Sequence, residues 1–154
     1  MSMPQAGEKA PSFTLEGDEG PISLGDFAGK KLVVYFYPKD DTPGCTTEGK
    51  AFSALQDAFA AADTAIVGIS RDSVAAHARF RKKHGLTVAL GSDEGAVTDA
   101  FGVWVEKSMY GKKYMGIERA TFLIGRDGTV ARVWPKVKVP GHAEEVLAAA
   151  RALA

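Results

Sequence analysis

"KLVVYFYPKDDTPGCTTEGKAF", residues 31–52, sets an unbroken apolar run against a polar turn and then a segment fit for a helix. Lys31 to Pro38 is β-branched and aromatic, which reads as a strand buried on both faces. Pro38 has no amide proton for a ladder and ends it. Thr42 suits a helix N-cap and Pro43 the first turn. Beyond them Ala51, Phe52, Leu55, Ala58, Phe59 and Ala62 recur at helical spacing. "TAIVGIS", residues 64–70, reads as a second buried strand. Strand, helix and strand in that order predict a parallel pair with a crossover.

Working outward, residues 73–84 read as a second helix. "ATFLIGRDGTVARVW", residues 120–134, reads as two strands joined at Asp127-Gly128. "GHAEEVLAAARALA", residues 141–154, closes as an amphipathic helix. A βαβ unit, a hairpin and a last helix follow the order of a thioredoxin-like core. The expected class is α/β, with a central mixed sheet flanked by helices. No repeat, low-complexity tract or linker interrupts it, so residues 1–154 are expected to form one domain.

Composition narrows the function. The 154 residues carry 19 basic and 19 acidic side chains, and this balance suggests no electrostatic footprint for nucleic acid or a membrane surface. A single cysteine, Cys45, rules out a disulfide framework and a dithiol oxidoreductase. The first residues show no apolar signal region, and no run is long enough to span a bilayer. The expected compartment is the reducing cytoplasm.

Cys45 falls in the first turn of the predicted helix, at the carboxyl edge of the sheet, where open α/β proteins keep their sites. Free N–H groups and the helix dipole favour an anion there, and a thiolate is the anion available. Helix N-termini and nearby cations can bring a cysteine from about 8.5 to roughly 3.5–7.5. The alternative is a buried, inert thiol, and the location argues against it.

Around Cys45 the chain resembles a known family. Pro38, Thr42 and Cys45 in "YPKDDTPGCTTE" match the peroxiredoxin signature at its spacing. "GISRDS", "RATFLIGRDGTV" and "HAEEVL" follow in order and are similar to the bacterioferritin-comigratory, or peroxiredoxin Q, branch. The resemblance spans nearly the whole chain. It implies a thiol-dependent peroxidase acting on hydrogen peroxide and alkyl hydroperoxides, an oxidoreductase of antioxidant defence with no cofactor and no metal. Cys45 matches the peroxidatic cysteine, which becomes a sulfenic acid. Thr42 matches the threonine whose hydroxyl bonds the thiolate and the peroxide. Arg119 matches the arginine that stabilises both. Pro38 matches the proline that shields the pocket, Gly44 lies within the same motif, and Glu48 stands where a polar residue orients the arginine.

The chemistry asks for such groups independently. An unperturbed thiol is about 3% ionised at pH 7, so complete ionisation gains at most ~30-fold, or ~2 kcal/mol. Part of that is returned, because a less basic thiolate is a weaker nucleophile. Greater acceleration needs donors that grip the O–O bond as it stretches. If the strand starting at Ala120 runs antiparallel to the strand at Leu32–Tyr37, Arg119 arrives beside Cys45. Taken without the motif, Arg119 would be an ordinary solvated arginine at a strand end.

Other features carry less. His77, His84 and His142 are scattered, without matching carboxylates, and are expected on the surface rather than around a metal. "RFRKKH" reads as a solvated helix face. Trp104 and Trp134 read as core or pocket-wall residues. "GSDEG", residues 91–95, reads as a turn and lacks the Lys-Ser/Thr of a phosphate loop.

The chain departs from the family in its second thiol. The position five after Cys45 is Lys50, and residues 73–85 hold no cysteine either. The resemblance therefore implies a one-cysteine mechanism with an outside reductant: thioredoxin, glutaredoxin or a small thiol. A monomer is expected. The rival reading is a silent thioredoxin-fold binding domain, which has no reason to hold Thr42, Cys45 and Arg119 together. A chaperone role has no sequence signal.

Overall fold

The computed structural model describes residues 2–154. The chain opens with β1 (Thr14–Gly17), β2 (Ile22–Ser23) and a 3₁₀ turn (Leu24–Phe27). The predicted unit follows as β3 (Lys31–Phe36), α1 (Pro43–Ala54), α2 (Gln56–Ala61) and β4 (Thr64–Ser70). Next come α3 (Val74–His84), β5 (Ala89–Ser92) and α4 (Ala96–Ala100). A hairpin, β6 (Trp104–Met109) and β7 (Lys112–Ile117), precedes β8 (Ala120–Ile124), β9 (Val130–Trp134) and α5 (His142–Ala152).

Seven strands form one mixed sheet in the order β2-β1-β5-β4-β3-β8-β9, and β6 with β7 makes a separate ribbon. All six residues of β3 are buried, as its continuous apolar run requires. It pairs parallel with β4 and antiparallel with β8. Period-two alternation sends Leu32, Val34 and Phe36 to one face, where they meet Phe101 and Phe122. Val33, Tyr35 and Tyr37 go to the other, against Phe52 of α1, Phe59 of α2, Phe80 of α3 and Val146 of α5. Each such side chain, fully buried, contributes on the order of 1.5–3 kcal/mol. Gly68 of β4 passes under the Tyr35 ring, where a Cβ would lie 2.6 Å from Cζ. Tyr35 in turn stacks on Phe52 at 4.6 Å, seating α1 on the sheet.

Two departures from the sequence reading are local. The helix expected to run unbroken to Ala62 divides at Leu55 into α1 and α2. Gly91 and Ser92 finish β5, so only residues 93–95 of "GSDEG" lie outside it, as an irregular link into α4. β5 pairs with β4 through "ALGS", a segment whose residue types carry no strand signal. Its conformation comes from the neighbour. Among the described residues no helix is long and apolar enough to cross a membrane.

For the site, the decisive register is Phe36 opposite Ala120. It puts the start of β8 beside the end of β3, so Arg119 stands over the corner where the chain turns into α1.

Candidate active site

Thr42 takes the N-cap position of α1 with extended backbone, and Pro43 is its first helical residue. The Thr46 amide donates to Thr42 O at 2.9 Å and closes the first turn. The Gly44 and Cys45 amides precede that bond and have no carbonyl within the helix to meet. The Thr42 side chain does not cap. Its hydroxyl donates back to Lys39 O at 2.7 Å, bracing the turn instead.

Cys45 is 2% exposed. Glu48 follows one turn later on the same face, and it too is buried. Arg119 bridges the two. Its Nη1 donates to Glu48 Oε1 at 2.6 Å and its Nη2 to Cys45 Sγ at 3.3 Å. The backbone of Arg119 is itself held, because the Val137 amide donates to its carbonyl at 2.9 Å. Gly44 leaves room for the guanidinium: a Cβ there would lie 3.1 Å from Nη2. Pro38 is exposed on the turn after β3.

Burial and charge oppose each other at this bridge. Burial pushes the Glu48 carboxyl up to about 7, against the pull of Arg119. Its Oε2 is buried without a hydrogen-bond partner, which a carboxylate tolerates poorly. Burial also works against the charge of Arg119, yet Glu48 and then Cys45 raise it above the ordinary arginine value. The guanidinium therefore stays charged while the carboxyl bears the cost of the site. Lys107 of β6 joins the same field: burial and then Arg119 lower it, and Cys45 opposes them.

Two of the three histidines are not surface residues. His77 is fully buried and His142 is 5% exposed. His142 Nε2 lies 2.8 Å from Thr121 Oγ1, and its ring meets Phe52 and Trp134 edge-on. Burial lowers its pKa. His77 and His84, one face of α3, do have matching carboxylates, Asp40 and Asp41, in the turn before Cys45. No residue type betrays this at sequence level, since the partners lie 37 and 43 positions apart. Among the described residues no group of three or more His, Cys, Asp or Glu could hold a metal ion. Trp134 is buried, and Trp104 is half-buried under Arg71, whose Cζ lies 3.4 Å from its ring centroid.

A buried thiol held by a guanidinium at a helix start, in a thioredoxin-like sheet, is an arrangement for attack by sulfur. The AhpC/TSA family model matches residues 6–133. The chain belongs to this family. It is a peroxiredoxin of the Bcp branch, and so a thiol peroxidase. The peroxiredoxin Bcp of Bacillus subtilis is 48% identical over 145 residues, covering 93% of this chain and 92% of the relative. That of Xanthomonas campestris is 55% identical over 131 residues, covering 84% and 82%. In structure, this peroxiredoxin matches the Xanthomonas campestris bacterioferritin comigratory protein with a TM-score of 0.89 at 48% identity, covering 96% of this chain and 98% of that one. It matches BcpB of Mycobacterium tuberculosis with a TM-score of 0.86 at 34% identity, over 98% and 99%.

Proposed function

We propose that Cys45 is the peroxidatic cysteine of a one-cysteine cycle that reduces hydrogen peroxide and alkyl hydroperoxides. The observation that carries this is the Arg119 bridge from Glu48 to the Cys45 sulfur, in a chain with one cysteine. The Cys45 thiolate attacks one peroxide oxygen, an S–O bond forms and the O–O bond breaks. Cys45 becomes a sulfenic acid, and the departing oxygen takes a proton and leaves as water or an alcohol. Arg119 and the free amides of the first turn stabilise the charge that moves onto the departing oxygen. Glu48 orients Arg119, Gly44 keeps the approach open and Pro38 walls the pocket. The Thr42 hydroxyl must leave Lys39 O to donate to a substrate oxygen. For alkyl substrates the support is a relative: the Xanthomonas campestris protein is described for its alkyl peroxide reduction activity.

Resolution needs a second molecule. An external thiol attacks the sulfenic sulfur, forms a mixed disulfide and releases water. A second thiol then attacks that disulfide and frees Cys45. Thioredoxin, glutaredoxin or a small thiol fits this step, with the protein working as a monomer in the cytoplasm.

One equivalent of peroxide is expected to leave a sulfenic acid on the Cys45 peptide, labelled by a sulfenic-specific trap and read by mass. A second equivalent drives part of the protein to sulfinic acid, and a thiol donor added first protects it. Complete conversion to disulfide dimer on non-reducing gels at low protein concentration would overturn the external-donor cycle.

A further inference from the structure

The turn that delivers Cys45 is tied down from the side opposite Arg119. Its two aspartates face α3, and Asp41 takes the left-handed turn with a φ of 60°, a conformation in which aspartate is enriched. Asp41 accepts from Lys83 Nζ at 2.8 Å and meets His84 Nε2 at 2.7 Å, both near the surface. Asp40 is the buried tie. Its Oδ1 accepts from the Tyr37 hydroxyl at 2.6 Å, and its amide donates to Asp72 Oδ2 at 2.9 Å. Its Oδ2 lies 2.7 Å from His77 Nδ1.

The other ring nitrogen decides the state of His77. Nε2 lies 3.0 Å from the carbonyl oxygen of Gly91, which can only accept. A neutral imidazole has one N–H, so it can serve Gly91 or the Asp40 carboxylate but not both. Holding both contacts takes one more proton between Asp40 and His77 than neutral imidazole and carboxylate carry. The charged and titratable groups facing the ring are Tyr37 and Asp40 from the segment between β3 and α1 and Asp72 from the turn after β4; β5 presents only the Gly91 carbonyl. Tyr37 remains a donor, since burial, with Tyr35 and Asp40 beside it, pushes its hydroxyl well above an ordinary phenol.

We propose that His77 is a positioning residue of the peroxidase: protonated on both ring nitrogens, it holds Asp40 and so the turn that sets Cys45 against Arg119, and it releases that turn when the extra proton leaves. The proposal rests on Cys45 being the reacting thiol. Burial works to lower the His77 pKa, but the Asp40 hydrogen bond and charge outweigh it and hold it above the ordinary histidine value. A raised histidine keeps its tie in full below the unfolded value of about 6.5 and loses it as pH rises through the folded value. The site is therefore braced in full below about pH 6.5 and loosens as pH rises through the folded value.

Nitrogen NMR of the wild-type imidazoles is the first measurement, because it needs no variant. His77 is expected to show two N–H groups at pH 6.5 and to lose one at a higher pH. The second-order rate of Cys45 oxidation by hydrogen peroxide, measured across the same range, should fall with the same midpoint. His77→Asn keeps an uncharged donor toward Asp40, so its rate should be a few-fold lower at pH 6.5 but show no such alkaline fall. His77→Leu should lose tenfold or more at every pH. A single N–H at pH 6.5, a rate midpoint that does not coincide with the His77 titration, or an alkaline fall that persists in His77→Asn each overturns the proposal. Failure of the peroxidase reading would look different: Cys45 would not be oxidised at a useful rate at any pH, whatever His77 does.

Discussion

Two buried acid–cation pairs grip the corner between β3 and α1, and they differ in which partner can give up its proton. On one flank Arg119 meets Glu48; on the other His77 meets Asp40. Arginine does not deprotonate in a protein, so burial falls on its acid, and Glu48 moves up to about 7. Histidine can deprotonate, and the Asp40 hydrogen bond and charge move His77 upward against its burial. The first pair touches the sulfur through Nη2, whereas the second touches only the turn that carries it. A buried pair that must keep its charge against the sulfur is therefore built on arginine. A pair that only holds backbone can be built on histidine, and it then becomes sensitive to pH.

Removing the arginine breaks the comparison most completely. Arg119→Ala is expected to cost roughly 10²–10³ in the rate of peroxide reduction, the scale of losing one preorganised donor from an oxyanion site. Folding should survive, because Glu48, already poised at about 7, then simply keeps its proton. Single-turnover oxidation and thermal melting measured on the same sample separate these two outcomes. A loss below tenfold would reduce Arg119 to a structural residue.

Glu48→Gln sharpens the comparison by removing the titrating acid while leaving its shape. The folded protein holds the Glu48 proton up to about 7, against 4.5 for a free carboxyl. The raised acid thus contributes stability that is present below about pH 4.5 and lost as pH rises to about 7. The span corresponds to roughly 3 kcal/mol. Denaturant unfolding from pH 5 to 8 should show this decline in the wild type and a flatter line in the variant. Parallel lines would mean that Glu48 is fully ionised in the folded protein.

Gly44→Ala probes how tightly Arg119 is held. The new Cβ meets Nη2 at 3.1 Å, and that nitrogen, which also donates to Cys45, must shift by a few tenths of an ångström. A several-fold loss of peroxide rate is expected. An unchanged rate would show slack in the bridge.

The central unit was legible because its signals are local. The apolar run at Lys31–Phe36, the proline turn, the helical spacing after it and Asp127-Gly128 each declare a conformation within a few residues. One step of topology then reached across the sheet: an antiparallel β8 had to start where β3 ends, which brought Arg119 to Cys45. β1, β5 and the β6–β7 ribbon lay beyond such reading. They are short or weakly patterned, and their pairing partners set their conformation.

From the sequence alone follow the α/β core, the single thiol at a helix start and the absence of a second cysteine. Tertiary structure alone decided that Glu48 would be buried enough to hold a proton near neutral pH. It also turned the Thr42 hydroxyl toward Lys39, and closed two histidines of α3 over two aspartates of the turn before Cys45. A residue's type states which protons it can carry. Whether it carries them depends on the water it has lost and on the charges folded against it.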